Sequence, residues 1–287
     1  MGKKLFIFDT NLSSIYDEHV NLEKFSEFLK TLSKDNFVLL TTNGWYEQAA
    51  QICEVLNTAK IDIISGSGAV LKRSELPAFQ YFGFINRNDV DLILHLAIAS
   101  YSGVIVKGRS KGDNQSNVFL NYFLNFQDVK DFKGIWKFGS LEQNNDYLSF
   151  ETALNQIDIS EVYVFENNRN FAVKFLAQDN EINDLLKERN LNINEFLTKN
   201  YAFTRKGVSK ATAINAYLKA SYLNLEDVVY ISLGELDYVG LHRYGEVILP
   251  EYTSEEFKKN STFIYNPKNP LEILDYLNTT KKINEFQ

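Results

Sequence analysis

Four apolar residues in succession, Leu5-Phe6-Ile7-Phe8, run straight into the carboxylate of Asp9 and then into the mostly small polar stretch Thr10-Asn11-Leu12-Ser13-Ser14. A short, unbroken apolar run of this kind reads as a strand buried on both faces, as strands of a parallel sheet are. Open α/β sheets place their chemistry just beyond the carboxyl ends of such strands. Asp9 therefore stands either where a nucleophile or metal ligand belongs or where an acidic residue simply forms a turn. The stretch alone leaves both readings open.

The chain that follows repeats a strand–helix rhythm. Leu22, Phe25, Phe28, Leu29 and Leu32 fall at helical spacing, with Glu23, Lys24, Glu27 and Lys30 on the other face. Asn36 to Thr42 gives a second apolar strand ending in hydroxyls, and Trp45 to Leu56 resumes a helical pattern. A short strand over Ile61 to Ile64 then leads into Ser65-Gly66-Ser67-Gly68-Ala69. Alternating strands and helices predict a parallel sheet.

From about Pro77 to about Asn200 the texture changes. Asp89 to Ala99 reads as a helix and Gly103 to Gly108 as a strand, while Lys111 to Phe126 is polar and aromatic and resists assignment. Glu161 to Phe165 and Phe171 to Leu176, separated by Glu166-Asn167-Asn168-Arg169-Asn170, carry a hairpin signal. The first rhythm returns near Tyr201: a helix over Lys210 to Leu223, the strand Val228 to Leu233 running into Gly234-Glu235-Leu236-Asp237, short strands near Glu246 to Leu249 and Ser261 to Tyr265, and a closing helix after Pro270. The expectation is one doubly wound, mainly parallel α/β domain, residues 1–76 and 201–287, interrupted by an inserted α+β module over 77–200.

The balance of residues narrows the function classes. A net charge of −7 offers no basic footprint for nucleic acid. No apolar run approaches the ~20 residues that span a bilayer, and Gly2-Lys3-Lys4 leads into a strand rather than a signal peptide. With the single Cys53 this reads as a cytoplasmic protein without a disulfide framework. His19, His95, His242 and Cys53 are too scattered to assemble a zinc cluster.

Asp9, Thr42, Lys210 and the Gly234 to Asp237 turn occur in an order that resembles the haloacid dehalogenase (HAD) superfamily, in particular its Cof-type sugar-phosphatase-like branch. The resemblance covers nearly the whole chain. The family's first motif, Asp-x-Asp-Gly-Thr, is matched by Asp9-Thr10-Asn11-Leu12-Ser13, and its strand-ending Thr-Gly-Arg by Thr42-Asn43-Gly44. Ser67-Gly68-Ala69 resembles the Asn-Gly-Ala segment before the cap, and Lys206-Gly207-Val208-Ser209-Lys210 the third motif. The fourth, Gly-Asp-Gly-x-Asn-Asp, aligns without gaps to Ser232-Leu233-Gly234-Glu235-Leu236-Asp237.

The resemblance implies a Rossmann-like core with an inserted cap, and an aspartyl-phosphate at Asp9 in hydrolysis of a small phosphorylated metabolite. Thr42, Asn43 and Lys210 would hold the phosphate. Magnesium would be held by Asp9, the Asn11 carbonyl, and Asp237 or Glu235. Two departures bear on that chemistry. Asn11 stands where a carboxylate should donate and accept the proton, help worth roughly 10²–10⁴ in rate. Leu233 stands where a magnesium carboxylate is expected, and magnesium is normally bound through one or two carboxylates. The sequence therefore points to a HAD-like protein with impaired or lost hydrolysis and retained binding of a phosphorylated ligand. The alternative is an active magnesium-dependent phosphatase using Asp9. Oligomeric state is not legible.

Overall fold

The computed structural model describes residues 3–10, 20–58, 61–99, 102–113, 115, 118–122, 147–165, 188–195, 200–233 and 243–280. The elements begin with strand β1 (Leu5–Asp9), helix α1 (Leu22–Leu32), β2 (Phe37–Thr41), α2 (Tyr46–Val55), β3 (Asp62–Ser65), β4 (Val70–Lys72) and β5 (Phe79–Tyr81). They continue with α3 (Arg87–Ala99), β6 (Gly103–Ser110), β7 (Val118–Tyr122), α4 (Tyr147–Leu154), β8 (Ile157–Phe165), β9 (Leu191–Glu195) and β10 (Asn200–Arg205). The last are α5 (Lys210–Ala220), β11 (Val228–Ser232), β12 (Glu246–Pro250), α6 (Glu255–Lys258), β13 (Phe263–Tyr265) and α7 (Glu272–Thr279). Two compact units divide the chain: residues 1–77 with 209–287, and residues 78–208.

In the first unit the sheet runs in the order β13-β12-β11-β1-β2-β3-β4. All neighbours are parallel except β3 and β4. The chain leaves β1 toward β2 and β3, then returns on the other side through β11, β12 and β13. Strand order thus reverses at β1, and that reversal is where α/β sheets open a ligand crevice. All five residues of β1 are buried, as the apolar run predicts.

One face of this sheet is covered by an apolar cluster that joins Phe6, Phe8, Val229 and Ile231 to Phe25, Phe28, Leu29 and Leu32 of α1 and Ile273 and Leu277 of α7. Phe25 sits 5.4 Å from Phe8 and 6.3 Å from Tyr265, ring centre to ring centre. Helix α1 is capped by Asn21, whose side chain accepts from the Lys24 N–H at 3.1 Å. Its Glu23 and Lys30 lie in the first and last turns, where the helix dipole favours each sign.

The second unit is built around the antiparallel sheet β7-β6-β8-β10-β9. Val104, Val106, Val162, Val164 and Phe203 of this sheet cluster with Val90, Ile93, Leu94 and Ala97 of α3 and with Phe150 and Leu154 of α4. Strand β8 starts at Ile157, four residues before the predicted strand, and lies between β6 and β10. The predicted hairpin partner Phe171 to Leu176 lies outside the described residues. Strand β7 falls within the stretch that sequence left unassigned. Among the described residues no helix is long and apolar enough to cross a membrane.

Candidate functional site

Parallel register sets Asp9 beside Thr41 of β2 and Ser232 of β11, so three strand ends with polar side chains meet at one point. The backbone knits them together: the Leu233 N–H donates to the Asp9 carbonyl at 2.8 Å and the Thr10 N–H to the Thr41 carbonyl at 3.0 Å. Asp9 is fully buried. Its Oδ1 accepts from the Thr41 hydroxyl at 2.8 Å and from the Lys210 ammonium at 2.7 Å, and its Oδ2 accepts from the hydroxyl of Tyr230.

Lys210 is the first residue of α5, whose N-cap Ser209 accepts from the Thr212 N–H at 3.1 Å. A cation at a helix N-terminus sits on the unfavourable end of the dipole. Here it is also 98% removed from solvent. The Asp9 carboxylate supplies the opposing charge. The approach of α5 depends on Gly68, which holds a φ of +98°. A Cβ there would lie 2.2 Å from the Ser209 carbonyl and 2.6 Å from the Lys210 nitrogen. Only glycine accepts both that conformation and that proximity.

The turn after β2 closes on itself. Thr42 Oγ1 accepts from the Gly44 N–H at 3.1 Å, the Gly66 N–H donates to the Gly44 carbonyl at 2.7 Å, and the Ser67 hydroxyl donates to Asn43 Oδ1 at 3.2 Å. Thr42 is buried and Asn43 half-buried. The N-cap of α2 is Trp45, with no side-chain hydrogen bond, so Thr42 braces the turn rather than capping the helix. The hydroxyl of Ser65, at the end of β3, is buried without a hydrogen-bond partner.

Of the residues singled out from sequence, Asp9 and Lys210 are in direct contact, while Thr42 and Asn43 form the adjoining turn. Asn11, Glu235 and Asp237 lie outside the described residues, as do His19 and His242. His95 is exposed on α3. Leu233, which stands where a magnesium carboxylate is expected, is fully buried in the cluster with Val229 and Ile231, because strand alternation sends it to the face opposite Tyr230.

Thr41 and Tyr230 were not found by sequence. The signal for Tyr230 was a hydroxyl in an otherwise apolar buried strand, Val228-Val229-Tyr230-Ile231, where a phenol must find a partner.

Of the residues expected to hold magnesium, Asp9 alone is among the described ones. Its two oxygens accept from one ammonium and two hydroxyls. Among the described residues no three His, Cys, Asp or Glu side chains are grouped to hold a metal. Magnesium asks for near-octahedral oxygen ligation, and the ammonium of buried Lys210 lies 2.7 Å from Oδ1 of the one carboxylate described at this point.

A mainly parallel sheet whose strand order reverses at β1, joined to a second α+β unit, is the fold of haloacid dehalogenase-like proteins of known structure. The fold matches a haloacid dehalogenase-like hydrolase from Bacteroides thetaiotaomicron with a TM-score of 0.71 at 14% identity, over 96% of this chain and all of that one. It matches a HAD subclass IIB sugar phosphatase at 0.68 and 15%, over 98% and 100%. A Thermotoga maritima structure gives 0.70 and 13%, over 99% of both chains. In sequence the chain is similar to an uncharacterized protein of Mycoplasma genitalium, 26% identical over 93% of this chain and 95% of the other. Its Mycoplasma pneumoniae homologue is 27% identical over 82% and 85%. No family model matches the chain.

Proposed function

We propose that this is a HAD-fold protein in which phosphomonoester hydrolysis is lost or strongly impaired, and in which the turn after β2 retains affinity for a small phosphorylated molecule. The observation that carries the reading is the state of Asp9: buried, with each carboxylate oxygen already accepting a hydrogen bond from the protein. Three of the roughly four acceptor sites of the carboxylate are taken by protein donors, which lowers its nucleophilicity, and activation normally comes from a metal or an adjacent base. Asn11 in the acid–base position and Leu233 in the core support the same reading.

In this reading Lys210 neutralises Asp9, which removes repulsion between the carboxylate and an incoming phosphate. Thr42 and Asn43 then supply the polar contacts, and the inserted unit, residues 78–208, takes the part of the cap. One structural neighbour is named as a sugar phosphatase, so sugar phosphates are the first compounds to try.

The alternative, an active magnesium-dependent phosphatase, is favoured by one feature, the direct pairing of Asp9 with Lys210. The two readings separate in a single plate. Phosphate release from an aryl phosphate and a panel of sugar phosphates is followed with magnesium, and the melting temperature is recorded with each compound. The expected result is release at the level of buffer, with at least one sugar phosphate raising the melting temperature. Release that disappears in Asp9→Ala would establish the phosphatase instead.

A further inference from the structure

We propose that Tyr230 is a positioning residue whose hydroxyl holds the Asp9 oxygen a cation would otherwise take, so that a hydrogen bond stands where a metal–oxygen bond would form. The inference deepens the non-hydrolytic reading above and rests on it. Two donors, the Lys210 ammonium and the Thr41 hydroxyl, converge on Oδ1 of Asp9 and leave Oδ2 as the free edge of the carboxylate. Tyr230 donates to that edge. A hydroxyl donating to an ionised carboxylate makes one of the stronger hydrogen bonds in proteins.

The phenol is also fixed in place from behind. Tyr230 sits mid-strand in β11, paired on one side to Ile7 of β1 and on the other to Val247 of β12. Its ring is 2% exposed and stacks on Tyr244 at 5.5 Å with 10° between the planes. A cation approaching Oδ2 must compete for that oxygen with a phenol that has little room to move. A phenol displaced inside a buried site must then find another acceptor or go unsatisfied.

Packing alone does not call for the hydroxyl. Phenylalanine would fill the same volume in β11, and the neighbouring Val229 and Ile231 face the apolar cluster on the other side of the sheet. The oxygen that distinguishes tyrosine from phenylalanine is the atom that meets Asp9. Lys210 supplies the positive charge and Tyr230 the second-oxygen contact, and together they reproduce what a divalent ion gives a carboxylate: neutralisation and fixed orientation.

The test uses Mn²⁺ alone as probe, with free ion counted by electron paramagnetic resonance, on the full chain and on Tyr230→Phe and Tyr230→Phe/Asp9→Asn. Losing a competing hydrogen bond to a charged group is worth about tenfold or more in an equilibrium, and Tyr230→Phe is expected to bind Mn²⁺ at least about tenfold more tightly than the unmodified chain. The gain is expected to vanish in the double variant. Equal affinity in the unmodified chain and Tyr230→Phe, or a gain that survives Asp9→Asn, overturns the proposal.

Thermal melting supplies a second readout that does not depend on the metal. Tyr230→Phe is expected to lower the melting temperature of the unmodified chain and to lower that of Asp9→Asn by clearly less. Equal losses in the two backgrounds show that the hydroxyl is not coupled to Asp9 and likewise overturn it. Neither readout involves phosphate release. A chain that proves hydrolytic therefore contradicts the proposed function without deciding the role of Tyr230, and the reverse also holds.

Discussion

Asp9 and Lys210 stand 201 positions apart in sequence, and their ammonium and carboxylate meet at 2.7 Å without solvent. A buried pair of this kind is a weak source of net stability but a strong constraint, since removing one partner leaves the other charged and unpaired. The residue that makes the pairing possible is Gly68. Its positive φ and its van der Waals proximity to Ser209 and Lys210 let the start of α5 rest on the turn after β3. Gly68→Ala is expected to destabilise the chain by more than ~1 kcal/mol, because alanine both strains at positive φ and must push α5 away. Chemical denaturation of the two proteins checks this, and an unchanged midpoint would mean that α5 does not need that approach. Cys53 is the counter-case of a residue with reactive chemistry and no role in it. Burial first of all pushes its thiol up to about 12, which leaves it protonated at neutral pH.

At the level of elements, the middle of the second unit's sheet holds an unusual row. Register aligns Lys107 of β6, Glu161 of β8 and Thr204 of β10 across three strands, and all three are fully buried. The Lys107 ammonium lies 3.9 Å from Glu161 Oε1, the Tyr163 hydroxyl donates to Glu161 Oε2, and the Thr204 hydroxyl has no hydrogen-bond partner. A shift of register between Lys107 and Gly108 leaves Ser160 as the extra residue of a bulge, with its hydroxyl at 3.5 Å from Glu161 Oε1. Removing one charge is expected to cost roughly 3–5 kcal/mol. Glu161→Gln should therefore lower the melting temperature sharply, while Glu161→Leu combined with Lys107→Met should recover much of the loss. A double variant no better than the single one would show that the pair is not the source of the cost.

These elements also mark how far sequence reached. Strands β1 and β11 were legible because they are buried on both faces and read as unbroken apolar runs, and α1 because its apolar residues recur at helical spacing. Strand β7 was not, since Asn121 and the polar residues before it dilute any alternation. The bulge at Ser160 hid the start of β8 by breaking the period of two. At the site, Asp9 and Lys210 were legible as motif positions. Thr41 and Tyr230 were not, because their role depends on which strands lie beside β1, a tertiary fact that no local spacing encodes.

For the whole molecule, several phenols are held neutral by the fold. Burial raises Tyr265 and Tyr217, with Asp62 adding to the second, and Tyr46 and Tyr276 are raised by the same cause. A group whose pKa is raised in the folded state contributes stability below its unfolded value, and that contribution is lost as pH rises. The unfolded phenols ionise near pH ~10 while the folded ones do not. Melting temperature is thus expected to fall as pH climbs above ~10. The fall should be shallower in Tyr217→Phe, and an identical slope in that variant would remove Tyr217 from the account.

The central proposal is that the first unit's sheet carries Asp9 as a held carboxylate rather than as a nucleophile. The most direct measurement is the initial rate of aryl-phosphate hydrolysis at saturating magnesium, taken side by side for the unmodified chain and Asp9→Ala. The account predicts rates that coincide with each other and with buffer. A rate well above buffer that is abolished by Asp9→Ala would contradict it.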